Sequence, residues 1–350
     1  MVCAGLDKRA SGGAHPPTER LEPAARFGYP DPMGRQRFRH WGPLLAVAIA
    51  LGSCASTADI ARAKAVTEAV APSHPFPESA FLVSDGLKLH YRHWTPDRTP
   101  VGRIFLLHGF GASTFSFRFL VPRLLTAGWE VAAVDIPPFG YSDKTDAIAR
   151  LGYDRGRLLW AVPDALGWTG PTVLLGHSMG GLYATAMTER NPERVSGLVY
   201  LAGAVPVDGN ASGGAPWFAG LFAGALDSSV HNWSWVKDSL KGFAGAEVPD
   251  AMVDGYFAPL QVPGGVQALL DWSVASGRQA PVHPKTLKKP ALLVWGEKDT
   301  VVPLETGRRL AGAICGSTLV VLPGLGHLAH ELQSEAVHAV VMGFLAQMAQ

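Results

Sequence analysis

Thr172-Val173-Leu174-Leu175-Gly176-His177-Ser178-Met179-Gly180, followed by Gly181-Leu182-Tyr183-Ala184-Thr185-Ala186-Met187, decides the reading of this chain. The first four residues form an apolar run suited to a buried strand, and the last seven are helix-compatible. Between them stands Gly176-x-Ser178-x-Gly180, so the stretch reads as strand, sharp turn and helix with a serine at the apex. Glycine is needed on both flanks because a Cβ there would collide with the neighbouring strand or helix. The turn lifts Ser178 Oγ off the sheet, and the N–H groups opening the helix point at the same place. A serine hydroxyl is a weak nucleophile at neutral pH, so the motif acquires chemical meaning only beside a base and an acid.

Both follow downstream. Ala291-Leu292-Leu293-Val294-Trp295-Gly296 reads as a buried strand that ends in Glu297-Lys298-Asp299. Ser317-Thr318-Leu319-Val320-Val321-Leu322 reads as the next strand and ends in Pro323-Gly324-Leu325-Gly326-His327. In a parallel sheet the loops after these strands share one edge with Ser178. The chain order is serine, aspartate, histidine.

These motifs, in this order, resemble the α/β-hydrolase fold superfamily over residues 80–350. The resemblance implies an α/β fold with a mostly parallel, doubly wound sheet and a cap or lid insertion. It also implies Ser178 as nucleophile, Asp299 as acid and His327 as base, with Asp299 holding the imidazole in one tautomer. Glu297, two residues from Asp299, and Asp208, after the preceding strand, are the rival carboxylates. His330 is the rival histidine. His327 follows Gly326 in the family's G-x-G-H pattern, which leaves His330 and Glu331 on the first turn of the last helix as packing and capping groups.

Arg103-Ile104-Phe105-Leu106-Leu107 reads as a strand running into His108-Gly109-Phe110-Gly111. Superfamily members carry a His-Gly-x pattern here. By resemblance, the oxyanion donors are the backbone N–H groups of Phe110 and Met179, with His108 bonding the loop backbone. Asp135-Ile136-Pro137-Pro138-Phe139-Gly140-Tyr141-Ser142 resembles the family's D-x-P-G-x-G-x-S segment, with Pro138 where Gly is common. It reads as a pocket wall with Asp135 in a structural role.

Hydrophobic residues make up 47% of the chain and charged residues 17%, enough apolar material for a large core. Apolar runs alternate with helical stretches over residues 100–345, which argues for a mostly parallel sheet covered on both faces. Upstream, Phe81–Ser84, Asp85-Gly86 and Leu87–Tyr91 read as a hairpin, Asp-Gly being a favoured two-residue turn. About residues 205–288 interrupt the alternation. This insert carries Trp217, Phe218, Phe222, Trp233, Trp235, Phe243, Tyr256, Phe257 and Trp272. Most of these rings are expected to pack the insert onto the core, and a few to line an apolar pocket.

The N-terminus has a different character. Residues 1–32 lack periodicity and read as a disordered or untranslated leader. Residues 33–54 run from the basic Arg35-Gln36-Arg37-Phe38-Arg39-His40 into the apolar Leu44–Leu51. That apolar run is far short of the roughly 20 residues a membrane span needs and fits an export signal. It ends in Leu51-Gly52-Ser53-Cys54, which resembles the bacterial lipobox with Cys54 as the lipidated residue. The expectation is an exported, membrane-anchored lipoprotein of the cell envelope, with residues 55–79 as a tether. The alternatives are a cleaved signal giving a secreted or periplasmic protein, and an uncleaved anchor. Residues 1–54 hold seven Lys/Arg against four Asp/Glu, so without them the chain turns slightly acidic from its overall +1.

Of the three cysteines only Cys315 falls in the domain, so no internal disulfide is expected there. No Cys/His cluster has zinc spacing and no Gly-rich loop is of the phosphate or dinucleotide type. No cofactor, metal or nucleic-acid partner is therefore expected. The reading is a serine hydrolase that cleaves carboxylic esters with an apolar acyl or alcohol group. Carbon–carbon hydrolases, amidases and perhydrolases share the triad, and a non-catalytic binding protein on this fold is the rival from another class.

Overall fold

The structure, a computed structural model, describes residues 75–144, 155–207, 232–265 and 281–349. The leader, the lipobox-like segment, Asp208 and part of the insert lie outside the described residues. Among them is an eight-stranded sheet: β1 (Ser79–Ser84), β2 (Leu87–Trp94), β3 (Gly102–Leu107), β4 (Trp129–Val134), β5 (Thr172–His177), β6 (Val195–Leu201), β7 (Ala291–Gly296) and β8 (Thr318–Leu322). The strand order is β1-β2-β4-β3-β5-β6-β7-β8. β2 is antiparallel to both neighbours, and β3 through β8 pair parallel. The β1–β2 hairpin turns at Asp85 and Gly86, whose φ values of 53° and 74° suit a type I′ turn.

The α-helices among the described residues are α1 (Leu120–Thr126), α2 (Arg155–Ala165), α3 (Met179–Arg190), α4 (Trp233–Ala244), α5 (Asp250–Leu260), α6 (Leu304–Ala313), α7 (Ala329–Leu332) and α8 (Ser334–Leu345). Strand residues alternate between two cores, apart from Val195 at the irregular start of β6. Phe105, Leu107, Leu174, Leu293 and Trp295 join one face with Leu159 of α2, Tyr183 and Met187 of α3 and Leu310 of α6. Ile104, Leu106, Val173, Leu175, Leu292 and Val294 join the other with Leu120 and Leu124 of α1 and Val341 and Leu345 of α8. Because both faces are covered, the strands read as continuous apolar runs even though the side chains alternate.

The parallel register sets the site. Leu107 pairs with Gly176, His177 with Leu201, Leu201 with Val294 and Gly296 with Leu322. The loops after β3, β5, β7 and β8 therefore open at one edge, where a parallel sheet presents its functional loops. A third apolar cluster sits there. It joins α4 and α5 of the insert to Ala112 and Leu328.

Candidate active site

Ser178 occupies the turn between β5 and α3 with φ 49° and ψ −117°. A positive φ is strained for a side-chain-bearing residue, and surrounding structure must enforce it. The Ser178 N–H donates to Leu201 O at 2.9 Å, and Ser178 O accepts from Gly181 N and Ala204 N. A Cβ on Gly176 would lie 2.4 Å from the Gly180 backbone, and one on Gly180 would lie 2.0 Å from Leu107 O. Met179 opens α3 and is buried. The first N–H groups of a helix find no partner within it, so the Met179 amide is aimed outward at the turn.

His327 follows β8 in the chain, and Asp299 follows β7. The His327 Nδ1–H donates to Asp299 Oδ2 at 2.8 Å. A carboxylate only accepts, so in the neutral ring Nε2 is left bare as the basic nitrogen. Asp299 Oδ1 accepts the Val301 and Val302 N–H groups, each at 2.9 Å. Glu297 turns elsewhere, accepting from Gly324 N at 2.9 Å on the exposed side.

The loop after β3 lies against this centre. A Cβ on Gly109 would come within 2.8 Å of His177 Nδ1 and 3.2 Å of Ser178 Cβ. His108 is buried and bonds the backbone at both nitrogens: Nδ1–H donates to Gly109 O at 2.7 Å, and Nε2 accepts from Ile136 N at 2.9 Å. Burial lowers its pKa against the opposing pull of Asp135, in keeping with this neutral tautomer. Asp135 itself accepts from His90 Nδ1, Thr114 N and Tyr141 N, each at 2.7 Å. Burial works against its charge, yet His90, His108 and these donors bring it down to about 2. His90 also meets Ser79 Oγ at 2.8 Å, so the structural aspartate ties β1, β2 and the Gly109 loop together.

A cleft of about 850 Å³, measured out to its open mouth, joins these parts. Gly109, Phe110, His177, Ser178 and His327 form its floor, with Val301 and Leu328 beside them. Trp235, Val236, Leu240 and Phe243 of α4 and Tyr256 and Leu260 of α5 complete the wall. Of the insert's described rings, Trp235, Phe243 and Tyr256 thus face the cleft, whereas Phe257 is fully buried in the third cluster. Trp233 belongs to that cluster too, its indole N–H donating to Asp254 Oδ1 at 2.8 Å.

Sequence reasoning misjudged Glu331. It lies on α7, a short helix before the last one, and it caps nothing: its buried carboxylate is held by Ser116, Arg118 and Tyr256. The hint in the chain is a carboxylate four residues beyond His327, with Leu328-Ala329 on one side and Leu332 on the other. His330 is buried as expected, its ring 4.1 Å from that of His177. His177 in turn lies 4.8 Å from the His327 ring and donates Nε2–H to His327 O at 3.2 Å. Burial, with the neighbouring histidines, lowers His177 well below the ordinary value and brings His330 down to about 3. Both rings are neutral, so no positive charge competes with His327 from behind. Among the described residues, no group of three or more His, Cys, Asp or Glu is arranged to hold a metal.

Comparison with known proteins agrees with this architecture. The chain is 30% identical over 288 residues to the uncharacterized hydrolase YugF of Bacillus subtilis (strain 168), covering 79% of this chain and 99% of the relative. It is 28% identical to a 2-hydroxy-6-oxononadienedioate/2-hydroxy-6-oxononatrienedioate hydrolase of Burkholderia vietnamiensis, over 75% of this chain and 93% of that one. It is 30% identical to a pimeloyl-[acyl-carrier protein] methyl ester esterase of Neisseria meningitidis serogroup B, over 70% and 93%. A family model described as the alpha/beta hydrolase fold matches residues 102–333, the span that holds the sheet from β3 onward and every loop at the cleft, and the chain belongs to that family.

Proposed function

We propose that this protein is a carboxylic ester hydrolase working through an acyl-enzyme, with Ser178, His327 and Asp299 as its triad. Ser178 Oγ attacks the ester carbonyl while His327 Nε2 takes its proton. The Phe110 and Met179 N–H groups hold the oxyanion; one such donor is worth roughly 3–4 kcal/mol of barrier. Collapse releases the alcohol, which leaves with the proton from His327. Water then attacks the acyl-serine, with His327 again as base, and the carboxylic acid departs.

The observation that carries the ester reading is the chemistry of the cleft wall. Among the described residues lining it, none is an aspartate, glutamate, lysine or arginine. A dienedioate of the kind named for the Burkholderia relative carries two carboxylates, and burying them without cationic partners is costly. A neutral ester with an apolar chain meets no such penalty, and the methyl ester esterase among the relatives shows that ester chemistry occurs close by in sequence. α4 and α5 then serve as a cap that shelters the acyl chain.

The test is turnover of p-nitrophenyl esters of increasing acyl length by the full chain and its Ser178→Ala variant. Wild-type turnover that falls by about 10⁴-fold or more in the variant supports the reading. A wild type inert on every ester but active on a dienedioate ring-fission substrate would transfer the same triad to carbon–carbon cleavage.

We further propose that the protein is exported and anchored through a lipid on Cys54. The basic stretch at 35–40, the short apolar run and the Leu51-Gly52-Ser53-Cys54 ending support this. Intact-mass analysis of protein isolated from its native host tests it: an N-terminal diacylated Cys54 is expected, and a lipid-free start beyond Ala58 would defeat it.

A further inference from the structure

The carboxylate of Glu331 joins three pieces of chain around the cleft: α7 behind His327, the turn that follows the Gly109 loop, and α5. It stands four residues after His327, on α7, and its side chain is fully buried. Ser116 Oγ donates to Oε1 at 3.0 Å, and the Tyr256 hydroxyl donates to the same oxygen. Arg118 Nη1 donates to Oε2. The Ser116 and Tyr256 oxygens lie 2.7 Å apart. Ser116 belongs to the short 3-10 turn Thr114–Phe117 just beyond the Gly109 loop. Tyr256 lies on α5, and its ring lines the cleft.

The packing around this knot is close. A Cβ on Gly255 would fall 2.2 Å from the Phe115 ring, so α5 presses its backbone onto the 3-10 turn. Phe115 also meets the Tyr256 ring edge-on at 6.3 Å. Burial pushes the Glu331 carboxyl up and Arg118 pulls against it, so every donor it receives matters. Within the described part of the insert, α5 thus reaches the catalytic edge through a charge-assisted bond as well as through apolar contact.

We infer that Glu331 is a positioning residue which, through the Tyr256 hydroxyl, fixes α5 as the wall of the cleft and thereby sets the length of chain the cleft accepts. The carboxylate is out of the cleft and touches no reacting atom. Its reach is through the helix: Tyr256 and Leu260 form wall only while α5 is held against the 3-10 turn. Losing the hydroxyl keeps the ring on the helix but releases the helix from Glu331, so α5 and its wall residues can move outward, which admits longer chains and weakens the grip on short ones. The specificity half of this inference rests on the serine-hydrolase reading of the site; the tethering half does not.

The test uses the full chain with Tyr256→Phe, and Gly255→Ala as a second variant that displaces α5 without replacing any residue that lines the cleft. Two readouts are taken: amide hydrogen exchange over residues 250–260, and the rate at which fluorophosphonates of short and long alkyl chain label Ser178. Losing a bond to a buried carboxylate should speed exchange over 250–260 by about tenfold. The ratio of long-chain to short-chain labelling should rise in both variants. Faster exchange with an unchanged ratio would overturn the specificity role and leave Glu331 a stability residue. Unchanged exchange in Tyr256→Phe would overturn the tether. A wild type that no fluorophosphonate labels would sink the reading of the site, and exchange alone would then decide the tether.

Discussion

Asp299 divides its two oxygens between His327 and the backbone: Oδ2 meets His327 Nδ1 at 2.8 Å while Oδ1 accepts the N–H groups of Val301 and Val302. The two amides fix the carboxylate plane, and the plane fixes the imidazole. Asp299→Asn would keep the shape but present an amide N–H₂ to Nδ1 or lose the backbone donors. The two backbone N–H donors favour the orientation that keeps the amide oxygen on them, and the ring would then carry its proton on Nε2, the nitrogen proposed to receive one. We expect kcat on p-nitrophenyl esters to fall by about 10⁴-fold with little change in thermal midpoint. A fall under tenfold would remove Asp299 from the triad.

Gly109 admits no side chain. A Cβ there meets His177 Nδ1 at 2.8 Å and Ser178 Cβ at 3.2 Å. Gly109→Ala must push the loop away from Ser178, carrying the Phe110 N–H with it. On the proposed role of the Phe110 N–H as an oxyanion donor, this predicts a drop of about 10²–10³ in kcat with KM much less affected. Steady-state kinetics across the ester series checks this. A rise in KM alone would mean that the loop shapes binding and not the oxyanion site.

Gly326, just before His327, is pressed by the insert. Its Cβ would lie 2.4 Å from Ala244 O at the end of α4. Gly326→Ala therefore sets α4 against the histidine loop, and overpacking of this kind costs about 1–3 kcal/mol. Because the loop carries His327, activity should fall further than the melting temperature shift alone explains. Thermal denaturation and kinetics on the same preparation separate the two.

Acid should weaken the fold in two stages. Burial, with His327 and Arg118 nearby, lowers His330 from 6.5 to about 3, so the unfolded chain takes up a proton first. Stability is complete above pH 6.5 and declines as pH falls toward 3. His177, also lowered, acts in the same direction. His330→Phe removes one such group; Nε2 has no hydrogen-bond partner among the described residues, so an apolar ring is tolerated there. Urea midpoints between pH 7.5 and 5 should slope less steeply in this variant than in wild type. An equal slope would show that His330 does not resist protonation.

Asp135 supplies the second stage. Its carboxyl lies at about 2 in the fold against 3.8 unfolded, held down by His90 and its donors against the cost of burial. That shift is worth about 2 kcal/mol above pH 3.8 and is lost as pH falls through 2. Asp135→Asn should lower stability by at least this much at pH 7, since it also strands buried donors. Denaturation at pH 7 and pH 3 measures it, and an equal loss at both would place the effect in hydrogen bonding alone.

The chain by itself determined what depends on neighbours in sequence. Strand runs, the Asp85-Gly86 turn and the glycine-flanked turn at Ser178 follow from local sterics and from side-chain period. The order of Ser178, Asp299 and His327, each just past an apolar run, was enough to set them at one sheet edge, because parallel strands all end at the same side. Tertiary structure alone decided the rest. Trp233 and Trp235 are two residues apart on one helix, yet only Trp235 lines the cleft, since the docking of α4 chooses the face. Glu331 looked like a capping residue because its partners, Ser116, Arg118 and Tyr256, are 215, 213 and 75 positions away. No local pattern encodes a contact over such separations; a buried carboxylate is explained only once the groups that neutralise it are seen around it.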